Sequence, residues 1–263
     1  MSVRVMLSLL GVGICWAILM PTRARSANAK TPVLVELFTS EGCSSCPPAD
    51  RLLRAIEAEM TPGAEVIVMS EHVDYWDYLG WRDPFSNAQF SRRQQEYSRA
   101  LGGEGVYTPQ MVVNGRSGFV GNSGKQAFAE IGKAAGRPTA SVHIGIVEVD
   151  GGKSVATVQL SVGSLPQMSG KDELELMVAV TETGLHSKPR SGENSGSALE
   201  HTGVVRSLTR VGRVEGGEFA MKAKVALDSS WKRGSLRVVA FVQEKKSRAV
   251  WGVAQASLEP AAP

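Results

Sequence analysis

The sequence predicts an α/β domain over residues 30–137, followed by an antiparallel β-sandwich over residues 140–258. Three observations predict it. Strand-like apolar runs alternate with helix-period stripes up to residue 135, in the order β-α-β-α-β-β-α. Beyond Gly136, Arg137, Pro138 and Thr139, which read as a linker, no helix-period segment exceeds about ten residues. The 43% hydrophobic content is enough for a substantial core and excludes a disordered or collagen-like chain.

Residues 1–29 are expected to be a signal peptide. Arg4 precedes an apolar run over residues 5–20, Pro21 ends it, and Ala27, Asn28 and Ala29 form a small-x-small cleavage pattern. The run is about 16 residues, short of the roughly 20 of a membrane span. Arg23 and Arg25 follow it and leave an uncleaved anchor as the alternative. Cys15 lies inside the run, and Ile14 before it is too large for a lipid-attachment box. No later run approaches the roughly 18 apolar residues of a span, so the mature chain is expected to lack one. The location expected is periplasmic or extracellular.

In the first domain, residues 33–38 are apolar and β-branched, a buried strand. Pro47 and Pro48 fit the first turn of a helix, where the amides lack partners in any case. Ala49, Leu52, Leu53, Ile56 and Met60 form its apolar stripe, with Asp50, Arg51, Arg54 and Glu57 opposite. Residues 65–70 read as a second strand. Asp83 is the expected cap of a helix over 85–101, whose stripe is Phe90, Tyr97 and Leu101. Residues 110–113 form a third strand, and Asn114-Gly115 signals a hairpin to Phe119 and Val120. A last helix spans 125–135.

In the second domain, residues 141–149 and 155–162 alternate around a turn at Asp150, Gly151 and Gly152. Residues 173–181, 219–227, 236–243 and 249–256 read as further strands. Residues 183–203 are rich in Gly and Ser and do not read as strand. Two readings stand for them: a solvated crossover, or a lid that docks on the first domain and brings Arg190 or His201 near Cys43.

The charge balance excludes one class of partner. The chain carries 29 basic and 26 acidic residues, a net +3. Arg4, Arg23 and Arg25 are the only charges before Lys30, so the remainder is neutral. A nucleic-acid binder would show a basic excess or stripe.

Chemistry is expected at the cysteines. Outside residues 1–29 only Cys43 and Cys46 remain, as Cys-Ser-Ser-Cys between a buried strand and a helix start. A bridge closing so short a loop removes little chain entropy, which argues against a purely stabilising role. A structural zinc site needs four ligands, and His72, His143, His186 and His201 are scattered. At a helix N-terminus the dipole and free amides favour a thiolate. Cys43 is expected to be the exposed attacking thiol and Cys46 the resolving one.

The segment after the second strand is the second candidate. His72, Asp74 and Asp77 are placed to lie near the thiols, where an imidazolium lowers a thiol pKa and a carboxylate accepts a proton. Otherwise Tyr75, Trp76, Tyr78 and Trp81 pack the loop and His72 holds it by a local hydrogen bond. The aromatics also suit a rim that receives a partner.

A Cys-x-x-Cys after the first strand with Thr108-Pro109 opening the third resembles the thioredoxin superfamily. The resemblance implies a cis bond before Pro109 and a proline packed beside the active-site disulfide. The run from Val35 through Cys43 and Cys46 to Asp50 is more specific, as are the run from His72 to Trp81 and Tyr107-Thr108-Pro109-Gln110. These look like motifs of a secreted thioredoxin-like family catalogued as domain of unknown function 1223. The match extends to Gly192, Glu193, Asn194 and His201. It implies a thioredoxin-like fold, export and no established biochemical role. Thioredoxins typically carry Gly-Pro between the cysteines, and strong oxidases often a His. Ser44 and Ser45 here leave the direction of electron flow open.

The function expected is an exported thiol–disulfide oxidoreductase acting on protein thiols or disulfides, with no cofactor. Cys43, Cys46, Pro109 and His72 are its candidate site. The alternative is a secreted binding or structural protein with a non-catalytic disulfide. A soft-metal chaperone is a third reading, and no Met-rich or His-rich cluster supports it.

Overall fold

The computed structural model describes residues 30–149, 154–167 and 172–258. The expected signal peptide, Cys15 and the turn at residues 150–152 lie outside the described residues.

The elements of the first half follow the expected order. They are β1 (Thr31–Thr39), α1 (Pro47–Ala58), β2 (Ala64–His72), α2 (Ala88–Ala100), β3 (Gln110–Val113), β4 (Ser117–Val120) and α3 (Gly124–Ala135). The second half supplies β5 (Ser141–Val149), β6 (Val155–Gly163), β7 (Leu174–Glu182), β8 (Leu185–Ser187) and β9 (Leu199–His201). It ends with β10 (Val204–Val214), β11 (Phe219–Ala226), β12 (Leu236–Glu244) and β13 (Val250–Ser257).

The pairing of these strands overturns the expected fold class. An α/β thioredoxin-like domain followed by a separate antiparallel sandwich is not what forms. The strands of both halves join one mixed eight-stranded sheet, ordered β13-β12-β7-β10-β2-β1-β3-β4. The physical cause is the free edge of β2. It is taken by β10, which pairs in parallel at Val204 and Ser70, with the Ser70 amide donating to the Gly203 carbonyl at 2.8 Å. Gly203 has φ +58°, and a Cβ there would lie 2.7 Å from the Val68 carbonyl oxygen. The seam therefore requires glycine on two counts.

Packing crosses the same seam. Leu34, Ile67, Met69 and Phe90 of the first half share one apolar core with Met177, Ala179, Val205, Val239 and Phe241 of the second. The opposite face of β1 (Val33, Val35, Leu37) packs on α1 and α3 through Leu53, Ile56, Ala127 and Ile131. A three-stranded sheet, β11-β6-β5, covers one face of the second half through Val158, Leu160, Val178 and Val238.

A buried polar cluster also ties the halves. Arg93 of α2 donates from Nε (2.8 Å) and a terminal nitrogen (2.6 Å) to Glu36 Oε1, and to Gln243 Oε1 at 2.9 Å. Tyr97 donates to the other Glu36 oxygen. Two local expectations are corrected. The helix expected over 85–101 begins at Ala88, capped by Asn87, whose Oδ1 accepts from the Gln89 amide at 2.8 Å. Met60, expected in the apolar stripe of α1, lies beyond the helix and is 81% exposed.

Candidate functional site: a strapped disulfide at a helix start

Cys43 and Cys46 form a disulfide. Cys46 occupies the cap position of α1, and its carbonyl accepts from the Ala49 and Asp50 amides at 2.8 and 3.1 Å. Pro47 and Pro48 begin the helix, so the first turn presents fewer unpaired amides than usual. Cys43 Sγ lies 3.3 Å from Ser45 Oγ, a hydroxyl able to donate to a thiolate. Ser44 and Ser45 are exposed.

The sulfurs are not. Cys43 is 1% and Cys46 0% exposed. The expectation of an exposed Cys43 is therefore corrected, and the segment 183–203 lies against the backbone of the motif. That segment is not a plain crossover. Its ends, β8 and β9, pair as a short antiparallel ribbon, with Leu185 opposite His201. Its tip lies across the cysteine motif. Asn194 donates from Nδ2 to the Glu41 carbonyl at 2.8 Å and to the Cys43 carbonyl at 2.9 Å. Glu193 Oε2 accepts from the Ser44 amide at 2.9 Å, and hydrogen bonding by the Ser44 hydroxyl, then by its amide, lowers the Glu193 pKa. Ser191 donates from Oγ to the Gly80 carbonyl. His201 comes close to the motif; Arg190 is exposed.

Beneath the motif lies a buried set of titratable groups. His72 Nδ1 is 2.7 Å from Asp83 Oδ2, and the same oxygen accepts from the Glu41 amide at 2.9 Å. Glu41 Oε2 accepts from Trp81 Nε1 at 2.7 Å, and Oε1 lies 3.2 Å from His201 Nε2. The two imidazoles stand edge-on, 4.9 Å apart, with Phe85 against both. Burial disfavours a charged His72, but Asp83, with Asp50 and Glu41 adding to it, outweighs burial and raises its pKa. Burial pulls Asp83 upward, and the His72 charge and hydrogen bond overcome it, so Asp83 sits below its usual value. Asp50 is raised, because burial exceeds the opposing pull of His201, His72 and the Thr39 hydroxyl.

Each sequence-level candidate now has a place. His72 has Asp83, Phe85 and His201 as its partners, the arrangement of a loop-holding group. Asp74 accepts from Ser91, and Asp77 from Ser86 and the Asp83 amide. The Thr108–Pro109 bond is cis. Trp76 links that bond to the cysteines: its Nε1 donates to Thr108 Oγ1 at 2.8 Å, and its Cβ lies 2.9 Å from where a Gly42 Cβ would be. Sequence reasoning missed Glu41 and Asp50. Asp50 falls on the polar side of the α1 stripe and is nevertheless buried, because β9 and its flanks cover that side. Arg54 donates to the Glu200 carbonyl there, and Glu57 accepts from Thr202 and from Arg237. Among the described residues no group of three or more His, Cys, Asp or Glu is arranged to hold a metal ion. No helix among them is long and apolar enough to cross a membrane.

Fold and site together define a mixed-sheet protein whose Cys-x-x-Cys disulfide caps a helix and is strapped by a distant hairpin. The chain belongs to the family described as Protein of unknown function (DUF1223), whose pattern matches residues 34–243. It is similar to the crystal structure of an Agrobacterium tumefaciens protein at 26% identity, with a TM-score of 0.69 over 90% of this chain and 99% of that one. HBP35 of Porphyromonas gingivalis shares the fold, with 19% identity and a TM-score of 0.70 over 89% of this chain and 77% of that one. No curated protein matches the chain.

Proposed function

We propose that this protein performs thiol–disulfide exchange with protein partners through Cys43 and Cys46, after export to an oxidising compartment. The carrying observation is the position of the pair. The bridge spans three positions at the cap of α1, with Ser45 Oγ 3.3 Å from Cys43 Sγ. Such a bridge adds little stability through chain entropy, while a helix start and a hydroxyl donor both favour a thiolate. Export rests on Arg4, the apolar run over 5–20 and Ala27-Asn28-Ala29.

In this reading a partner thiolate attacks Cys43 Sγ. The Cys43–Cys46 bond breaks, and Cys46 leaves with the electron pair and takes up a proton. A second partner thiolate then attacks the partner sulfur of the mixed disulfide and releases Cys43 as a thiolate. The partner loses two electrons and the pair gains them; the reverse sequence oxidises the pair. Pro109 shapes the groove the partner enters. His72 acts as a positioning residue, holding Asp83 and through it the Glu41 amide at the foot of the motif.

One observation favours a second reading, a permanent structural disulfide in a binding protein: both sulfurs are almost fully covered. Trapping separates the two. With Cys46→Ser, partners attacked by Cys43 cannot be released, and mixed disulfides should accumulate and disappear on adding reductant. With Cys43→Ser they should not form. Absence of any mixed disulfide with Cys46→Ser supports the structural reading.

A further inference from the structure

We propose that the tip of the β8–β9 hairpin, residues 191–194, is a built-in plug that occupies the partner-binding face of the cysteine motif and must lift before exchange. The proposal rests on the exchange reading above and adds its control.

A partner docking across Cys43 and Ser44 finds two carbonyls and one amide there: Glu41 C=O, Cys43 C=O and Ser44 N–H. All three are taken from within the same chain. Asn194 gives its side-chain amide protons to both carbonyls, at 2.8 and 2.9 Å, and Glu193 accepts from Ser44 at 2.9 Å. Asn194 is 7% exposed, so the plug is seated and not merely nearby. Its carboxylate neighbour adds a negative charge at the motif, which repels an incoming thiolate.

The plug is also built to move as a unit. Turns close it internally: the Ser195 amide donates to Gly192, Gly196 to Pro189 and Ser197 to Asn194. Gly192 and Gly196 carry φ of +78° and +79°, which hold those turns without strain. Its stalk is a ribbon of only three residues per strand. Glu193 is exposed, so its bond competes with water and is the one to break first.

The test is the reduction rate of the oxidised full chain by dithiothreitol, read by quenching with an alkylating agent and weighing the product. A dithiothreitol thiolate attacks Cys43 Sγ, Cys46 leaves as thiolate, and the second dithiothreitol sulfur displaces Cys43, yielding cyclic oxidised dithiothreitol and a reduced pair. If the plug gates access, the wild-type rate reaches a plateau as dithiothreitol increases. Glu193→Ala should raise the plateau about fivefold and Asn194→Ala on the order of tenfold or more, as loss of one and two hydrogen bonds predicts. Unchanged urea midpoints show that the gain is local. Should Asn194→Ala fail to fold, Glu193→Ala and Ser191→Ala carry the test. Rates that stay linear in dithiothreitol and equal in all variants overturn the plug and leave exchange standing. A folded protein that no concentration reduces, in any variant, overturns both.

Discussion

Asn194 donates to the carbonyl of Cys43, 151 positions earlier in the chain, at 2.9 Å. The cysteine motif is thus completed by the second half of the protein. The parallel seam between β2 and β10 makes this reach feasible, since it sets β9 beside Arg54 and Glu57 of α1 and lets the hairpin tip reach the motif at the helix start.

The first prediction concerns the wall behind the motif. A Cβ on Gly42 would lie 2.9 Å from Trp76 Cβ and 3.3 Å from its carbonyl oxygen. Trp76 cannot swing away freely, because its indole donates to Thr108. Gly42→Ala should therefore lower stability by about 1–3 kcal/mol, the usual cost of overpacking. Urea denaturation followed by tryptophan fluorescence measures it. A wild-type midpoint would show that the loop yields without strain.

The second is a pH dependence with a definite sign. His72 is raised by Asp83, so its pairing contributes stability that is fully present below the ordinary imidazole value of about 6.5 and is lost as pH rises through the raised folded value. Asp83 is lowered, so its contribution is present above about 3.9 and is lost as pH falls through the lowered value. The urea midpoint should fall as pH rises above about 6.5. His72→Gln, which bonds but carries no charge, should flatten that fall. An equal slope in both proteins would assign the fall to other groups.

The third concerns the cluster across the seam. Arg93 is 3% exposed and faces Glu36 and Glu71, with Nε 3.3 Å from a Glu71 oxygen. Burial raises the Glu71 pKa well above the carboxylate range, against the pull of Arg93. Arg93→Met leaves Glu36 buried without its cation and should cost about 3–5 kcal/mol. Arg93→Met with Glu36→Leu should recover part of the loss. Additive losses in the double variant would show that the pair is not coupled.

Much of this was legible in the sequence, and the failures have physical causes. Continuous apolar runs place β1, β2 and β3, which are buried on both faces, and period-3.6 stripes place α1 and α3, which each bury one face. The strand β10 was missed. Arg206, Arg210, Gly212 and Arg213 interrupt its pattern, and it carries bulges between Val205 and Ser207 and between Arg210 and Gly212. That one strand fuses the two halves, so missing it produced two domains where one sheet exists. The cysteines were legible because their spacing is local. Their strapping by Asn194 and Glu193 was not, because those contacts reach across about 150 positions of sequence. Asp83 looked like a helix cap, the ordinary use of Asp before such a stripe. Its partners, His72 and the Glu41 amide, are contacts that periodicity does not encode.

The proposed disulfide exchange depends on the redox poise of Cys43 and Cys46. The most direct measurement is the reduction potential of the pair, by equilibration in glutathione buffers with alkylation of the free thiols. An exchanging pair should give a value between roughly −120 and −270 mV, the range of exchange proteins. A value below about −300 mV, typical of structural disulfides, would contradict it.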